Sequence, residues 1–186
     1  MVSGDVGVLV LAAGVSRRFG SDKRFFELDG VPLLQLTLEN ALASGLQVRL
    51  CHREIDGEVS ELAGSLAVEC LACDRSVEGM GATLAQGIVH CEDWRGCLVA
   101  LGDMAWVEAD SYRALADALA PGAIVRPTYR GQAGNPVCFD RVYYPEMREL
   151  TGDIGARQIL GRHPEVLELL ELNDPGVLRD LDSPPV

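Results

Sequence analysis

The sequence predicts an α/β fold: a mostly parallel sheet with helices on both faces and a small C-terminal cap. Three observations predict it. An apolar run near the N-terminus has no helical period, strand-like and helix-like segments alternate over residues 6–126, and the rhythm changes after residue 127.

Val6 to Leu11 (VGVLVL) is a short, continuous apolar run, the pattern of a strand buried on both faces of a parallel sheet. It runs on to Gly14. Further strand-like runs are Leu46 to Cys51, Leu66 to Leu71, Cys97 to Leu101 and Ala123 to Arg126. Helical patterns lie between them at Pro32 to Ser44, Glu54 to Gly64, Ala82 to His90 and Ala109 to Ala120. Right-handed crossovers then put helices on both sides of the sheet and the functional loops at the carboxyl ends of its strands. Past residue 127, Pro136 to Phe139 and Val166 to Leu172 read as short strands, and Tyr143 to Leu150 and Gly155 to Leu160 as short helices. This stretch is expected to be an insertion or cap. No repeat or linker interrupts the chain, so a single domain over residues 1–186 is expected.

The 186 residues and 48% hydrophobic composition suffice for one sizeable core. A net charge of −12 opposes polyphosphate and anionic lipid surfaces, so neither nucleic acid nor membrane is expected as a partner. No apolar run approaches the roughly 20 residues of a membrane-spanning helix, and Asp5 stands where a signal peptide carries basic residues. A cytoplasmic location is the expectation. The six cysteines lie in apolar segments, as buried reduced thiols do, and the lone CxxC of Cys70 and Cys73 reads as filler near a strand end. His52, His90 and His163 match no catalytic pattern and are expected at the surface.

Chemistry concentrates at Leu11 to Lys23 (LAAGVSRRFGSDK), where the first strand enters a glycine-bearing loop. Arg17, Arg18, Lys23 and Arg24 place four of the chain's sixteen basic residues within eight positions. In so acidic a chain, this points to an anionic ligand cradled by backbone N–H groups. Small residues Ala12, Ala13 and Gly14 leave room for a planar ring. The spacing fits neither the Walker motif, nor GxGxxG, nor a nucleophile elbow.

The stretch matches LAAGxSxRxGxxK and resembles the signature of the molybdenum cofactor cytidylyltransferase and guanylyltransferase family. The likeness continues, in the family's order, through EGMGATLAQG (Glu78 to Gly87), LGDM (Leu101 to Met104), Ile124 to Arg126, GNPVCF (Gly134 to Phe139), TGDIGAR (Thr151 to Arg157) and DPGVLRDLD (Asp174 to Asp182). It implies a three-layer Rossmann-like nucleotidyltransferase fold and a Mg²⁺-dependent transfer of a nucleotidyl group to a phosphate-bearing acceptor of molybdopterin type, with release of pyrophosphate.

By position, the resemblance implies that Leu11, Ala12, Ala13 and Gly14 contact base and ribose, while Arg17 and Lys23 hold the triphosphate. Arg18 and Arg24 are expected as rim charges. Neutralising the crowded phosphates by fixed cations and a metal suits the chemistry. Asp103, just past a buried strand, is the first expected Mg²⁺ ligand. Mg²⁺ takes one or two protein carboxylates, and the family's DIDTPED, here DLDSPPV, offers Asp182 as the second with Asp180 as alternate. Gly79, Met80, Gly81 and Thr83 resemble a base-reading turn, with Met80 equally readable as core. Asn135 and Asp153 fall in motifs around the acceptor pocket, although Asp153 could instead cap the helix near Ala156.

Two departures stand out: Ala105 replaces a proline after GDM, and Asn135 replaces a histidine, which puts a neutral amide beside the acceptor. LAAG resembles the cytidylyl-transferring branch, so CTP is favoured over GTP. A molybdoenzyme or its maturation factor is a possible partner. A sugar-phosphate or alditol-phosphate nucleotidyltransferase shares the first loop and the GD motif. A non-catalytic nucleotide-binding protein that delivers cofactor is a further alternative, which the altered C-terminal motif keeps open.

Overall fold

The computed structural model describes residues 5–14 and 22–181. In chain order, β1 (Val6–Leu11) is followed by the small hairpin β2 (Glu27–Leu28) and β3 (Val31–Pro32), then α1 (Leu33–Ala43), β4 (Gln47–Arg53), α2 (Gly57–Ser65) and β5 (Glu69–Cys73). Next come α3 (Met80–Ile88), β6 (Gly96–Leu101), α4 (Ala109–Asp117), β7 (Ile124–Tyr129), β8 (Gln132–Ala133) and β9 (Val137–Asp140). The last elements are α5 (Tyr144–Arg148), α6 (Arg157–Arg162) and β10 (Leu167–Glu171).

The main sheet runs β10-β7-β9-β6-β1-β4-β5, with β8 paired to β7. β1 lies inside it, parallel to both neighbours, with Val10 opposite Leu50 on β4 and Ala100 on β6. Every residue of β1 is buried, which is why it lacks the apolar–polar alternation of a half-exposed strand. β9 is antiparallel to β6 and β7, and β10 is parallel to β7.

The strand pleat divides the core in two. Val8, Val10, Leu98, Ala100 and Val125 face one side with Leu34, Leu38, Tyr112 and Leu115 from α1 and α4. Leu9, Leu11, Cys97, Val99 and Ile124 face the other with Leu84, Ile88, Met147 and Ile159 from α3, α5 and α6. The sheet is therefore covered on both faces, as expected. The stretch expected as an insertion or cap has two roles: β8, β9 and β10 join the sheet, β9 between β6 and β7, while α5 and α6 cover the α3 face.

Boundaries shift for local reasons. The strand expected from Leu66 begins at Glu69, because Leu66 caps α2 and Ala67 takes a left-handed turn at φ 55°. α3 begins earlier than expected, at Met80, immediately after the turn at Gly79. Among the described residues no helix is long and apolar enough to cross a membrane.

Candidate functional site

From β1 the chain winds to one side, through β4 and β5, and then returns through α3 to β6 on β1's other side. Loops leaving the carboxyl ends of β1 and β6 therefore part at a topological switch point, where open α/β sheets bind ligands. The two loops touch. Gly102 N–H donates to Leu11 O at 3.0 Å, and a Cβ added at Gly102 would lie 2.9 Å from the Ala12 Cβ and 3.3 Å from Leu34 Cδ1. Glycine at 102 is what allows the loops to close together. Leu11, Ala12 and Ala13 are buried and Gly14 is exposed, so the backbone emerges at the sheet edge.

Across this junction Lys23 and Asp103, separated by 80 residues, form an ion pair between Nζ and Oδ2. Lys23 opens a short turn (Lys23–Phe25) whose N-cap, Asp22, accepts from the Arg24 backbone N–H. Asp103 is nearly enclosed, its side chain 12% exposed. Its second oxygen, Oδ1, is buried with no hydrogen-bond partner among the described residues. Leaving such an oxygen unpaired is costly, and a cation or donor brought by a ligand would satisfy it. Among the described residues no three His, Cys, Asp or Glu side chains cluster as a metal cage.

Arg24 differs from its expected place on the rim. It is 4% exposed, and its guanidinium donates to Ala12 O at 2.7 Å, Asp56 Oδ2 at 2.6 Å and Asp22 Oδ1 at 2.8 Å. Arg53 joins from the end of β4, 2.6 Å from Asp56 Oδ1. Burial opposes charge on Arg24, but Asp22 and Asp56 more than offset it and hold its pKa above the ordinary range. Burial likewise raises the Asp56 carboxyl, and bonds from Arg24 and Arg53 outweigh this to hold it at about 2. Arg24 thus fastens the first loop to β4 through the Ala12 carbonyl. Sequence reasoning missed Asp56 because its partner lies 32 residues away and nothing local marks it.

The turn before α3 is packed against the TGDIGAR segment. Gly79 has φ 122°, and a Cβ there would lie 2.2 Å from Asp153 Oδ1 and 2.6 Å from the Gly152 backbone. Gly81 N–H donates to Gly152 O at 2.7 Å. Thr83 is buried and its hydroxyl donates to Gly79 O at 3.1 Å, so it braces the turn from within. Met80 is 41% exposed, which excludes the core reading. The N-cap of α6 is Ala156 with no side-chain hydrogen bond, so Asp153 is not that cap.

At the far end of the chain, Asp174 is 3% exposed and accepts from Glu108 N–H at 2.9 Å, Ser111 Oγ–H at 2.6 Å and Gly176 N–H at 2.7 Å. Asn135 N–H donates to Val177 O at 2.9 Å, and the Asn135–Pro136 bond is cis. Arg179 lies 3.9 Å over the Trp106 ring, three residues beyond Asp103 in the chain. The C-terminal segment is therefore strapped to the loop that carries Asp103. Asp180 is exposed there. Asp182, Arg17 and Arg18 lie outside the described residues. Counted from Gly14, the signature's arginine falls on Arg18, one residue beyond Arg17.

The remaining expectations divide. Cys70 and Cys73 pack into opposite faces of the sheet, since residues three apart on a strand point apart. All six cysteines are free thiols. His52 is 5% exposed, bonded through Nδ1 to Arg53 O, so the surface reading fails for it: β4 is interior to the sheet. His90 is exposed, and half-buried His163 pairs with Glu146 at 2.7 Å.

At the switch point of this mostly parallel sheet, the Lys23–Asp103 pair and a buried Asp103 oxygen without a partner among the described residues suit an anionic ligand that brings its own cation. The chain belongs to the family described as the MobA-like NTP transferase domain, whose model matches residues 8–166. It is 30% identical, over 194 residues, to the purine catabolism protein PucB of Bacillus subtilis, covering 96% of this chain and 92% of that protein. The crystal structure of Rv0371c from Mycobacterium tuberculosis superposes with a TM-score of 0.83 at 26% identity, covering 98% of this chain and 95% of that one. A complex of Rv0371c with manganese superposes at 0.72 with 25% identity, covering 90% and 88%.

Proposed function

We propose that this nucleotidyltransferase transfers CMP from CTP, in preference to GMP from GTP, to a phosphate of a molybdopterin-type acceptor. An acceptor phosphate oxygen bonds to the α-phosphorus as the bond to the β-phosphate bridging oxygen breaks. The electron pair leaves with pyrophosphate, and no covalent enzyme intermediate is needed. The observation that carries this reading is the Lys23–Asp103 pair across the β1/β6 junction, with Asp103 Oδ1 buried and without a hydrogen-bond partner among the described residues.

In this reading Asp103, with Asp182 or Asp180, holds Mg²⁺. The bound metal supplies charge neutralisation at the phosphates. The manganese complex of Rv0371c supports a divalent ion here. Lys23 is held by Asp103 until NTP arrives and then turns its ammonium to the triphosphate, beside the arginines of the first loop. Ala12, Ala13 and Gly14 with Gly79 and Met80 border the base. Ala13 carries a methyl where a second glycine would leave more room, which suits a pyrimidine. Asn135 and Asp153 border the acceptor.

Thermal shift with CTP, GTP, ATP or UTP and Mg²⁺ tests the reading. Ligand at 100 times its dissociation constant adds about 2.7 kcal/mol of stability, a rise of roughly 5–10 °C for a chain of this size. CTP is expected to give the largest rise. No shift with any of the four overturns nucleotide binding, and a larger shift with GTP overturns the base assignment.

A further inference from the structure

The loop that carries Asp103, residues 102–108, is braced from two sides. From α1, the Thr37 hydroxyl, shared with Leu33 O, lies 3.2 Å from Gly102 O, and Asn40 Nδ2–H donates to Ala105 O at 2.9 Å. The second brace is the C-terminal strap, residues 174–179. Gly176 packs against Trp106 so closely that a Cβ there would lie 1.9 Å from Trp106 O, and Arg179 covers the Trp106 ring at 3.9 Å. Val177 joins the same side of the core as Met104 and Val107.

Asp174 ties this strap to the end of the loop. Its two oxygens divide three donors: Oδ1 accepts from Gly176 N–H inside the strap, and Oδ2 accepts from Glu108 N–H and the Ser111 hydroxyl at the start of α4. Glu108 is the N-cap residue of α4 and makes no side-chain cap of its own, so the cap comes from 66 residues away. A carboxylate there suits both the free N–H groups and the positive end of the helix. Two acids thus serve one loop in different ways. Asp174 uses both oxygens within the fold, whereas Asp103 keeps Oδ1 without a hydrogen-bond partner among the described residues.

We propose that Asp174 is a positioning residue for nucleotidyl transfer: through Glu108 and the strap against Trp106, it fixes the loop from which Asp103 faces Lys23. This rests on the nucleotidyl-transfer reading, in which Asp103 takes part in the chemistry; Asp174 itself touches no substrate. A small displacement of a group that must meet a reacting phosphate costs rate out of proportion to stability. Loosening the strap frees the Asp103 side of the junction. The first loop keeps its own anchor, the bond from Arg24 to Ala12 O, so nucleotide binding is spared.

Asp174→Asn turns an amide N–H toward one of the three donors. With CTP, Mg²⁺ and molybdenum cofactor as acceptor, kcat for pyrophosphate release is expected to fall about tenfold or more, with KM for CTP within about twofold. Amide hydrogen exchange, read by mass spectrometry, is expected to quicken over residues 103–108 and to stay unchanged in β1 and β6. Added to Asp103→Asn, Asp174→Asn is expected to cost little more, because both act through one carboxylate; a loss that multiplies in full overturns the positioning role. So does a folded Asp174→Asn with wild-type kcat. Should that variant not fold, Ser111→Ala and Arg179→Gln each remove a single tie, and wild-type kcat in both overturns the proposal. A wild-type protein that releases no pyrophosphate brings down the transfer reading instead, and unchanged exchange over residues 103–108 in Asp174→Asn brings down the brace independently of it.

Discussion

At the scale of single residues, neighbours in the sequence have opposite duties. Lys23 and Arg24 are adjacent cations, yet Lys23 faces Asp103 at the sheet edge while Arg24 is enclosed by Asp22, Asp56 and the Ala12 carbonyl. Replacing Arg24 with Ala leaves Asp56 to Arg53 alone and strips the Ala12 carbonyl of its donor. The expected cost is about 1–3 kcal/mol, read from urea unfolding. A loss under about 1 kcal/mol contradicts the anchoring role. Asp103→Asn should do the reverse: pyrophosphate release falls at least roughly 100-fold while the melting temperature stays within a few degrees. Full turnover in that variant removes Asp103 from the chemistry.

Elements contribute by holding two turns together. The turn before α3 fits under Gly152 and Asp153 only because residue 79 has no side chain and a φ of 122°. Gly79→Ala therefore meets both a steric clash and an unfavourable backbone conformation, worth about 1–3 kcal/mol. The expected outcome is a raised KM for the nucleoside triphosphate. An unchanged KM means the turn does not border the base. Helix and strand positions themselves were legible, since VGVLVL and CLVAL could hardly be anything but buried strands. The legibility ended where partners are remote: Asp174 looks like one acid of a charged tail, yet it is tied to Ser111, 63 residues away.

For the whole molecule, acid is the revealing variable. Asp56 titrates at about 2 in the fold against an ordinary 3.8, and Asp22 is likewise lowered: burial raises it, and Arg24 and Arg53 more than reverse this. Because the folded pKa is depressed, this contribution to stability is complete above about pH 4 and is lost as pH falls through 2. The slope of unfolding free energy against pH between 4 and 2 should flatten in Asp56→Asn. A slope unchanged from wild type shows that other carboxylates dominate acid unfolding.

The sequence by itself determined the alternation of strand and helix, the glycine-bearing first loop, the GD pair after β6 and the family. Each of these is a local pattern, set by side-chain period and by which residues tolerate tight turns. Only the tertiary structure decided which cations are buried, that Asp103 meets Lys23, and that the expected cap supplies β8, β9 and β10 to the sheet. Burial and electrostatic pairing depend on residues brought together from distant parts of the chain, and a linear pattern carries no distance between them.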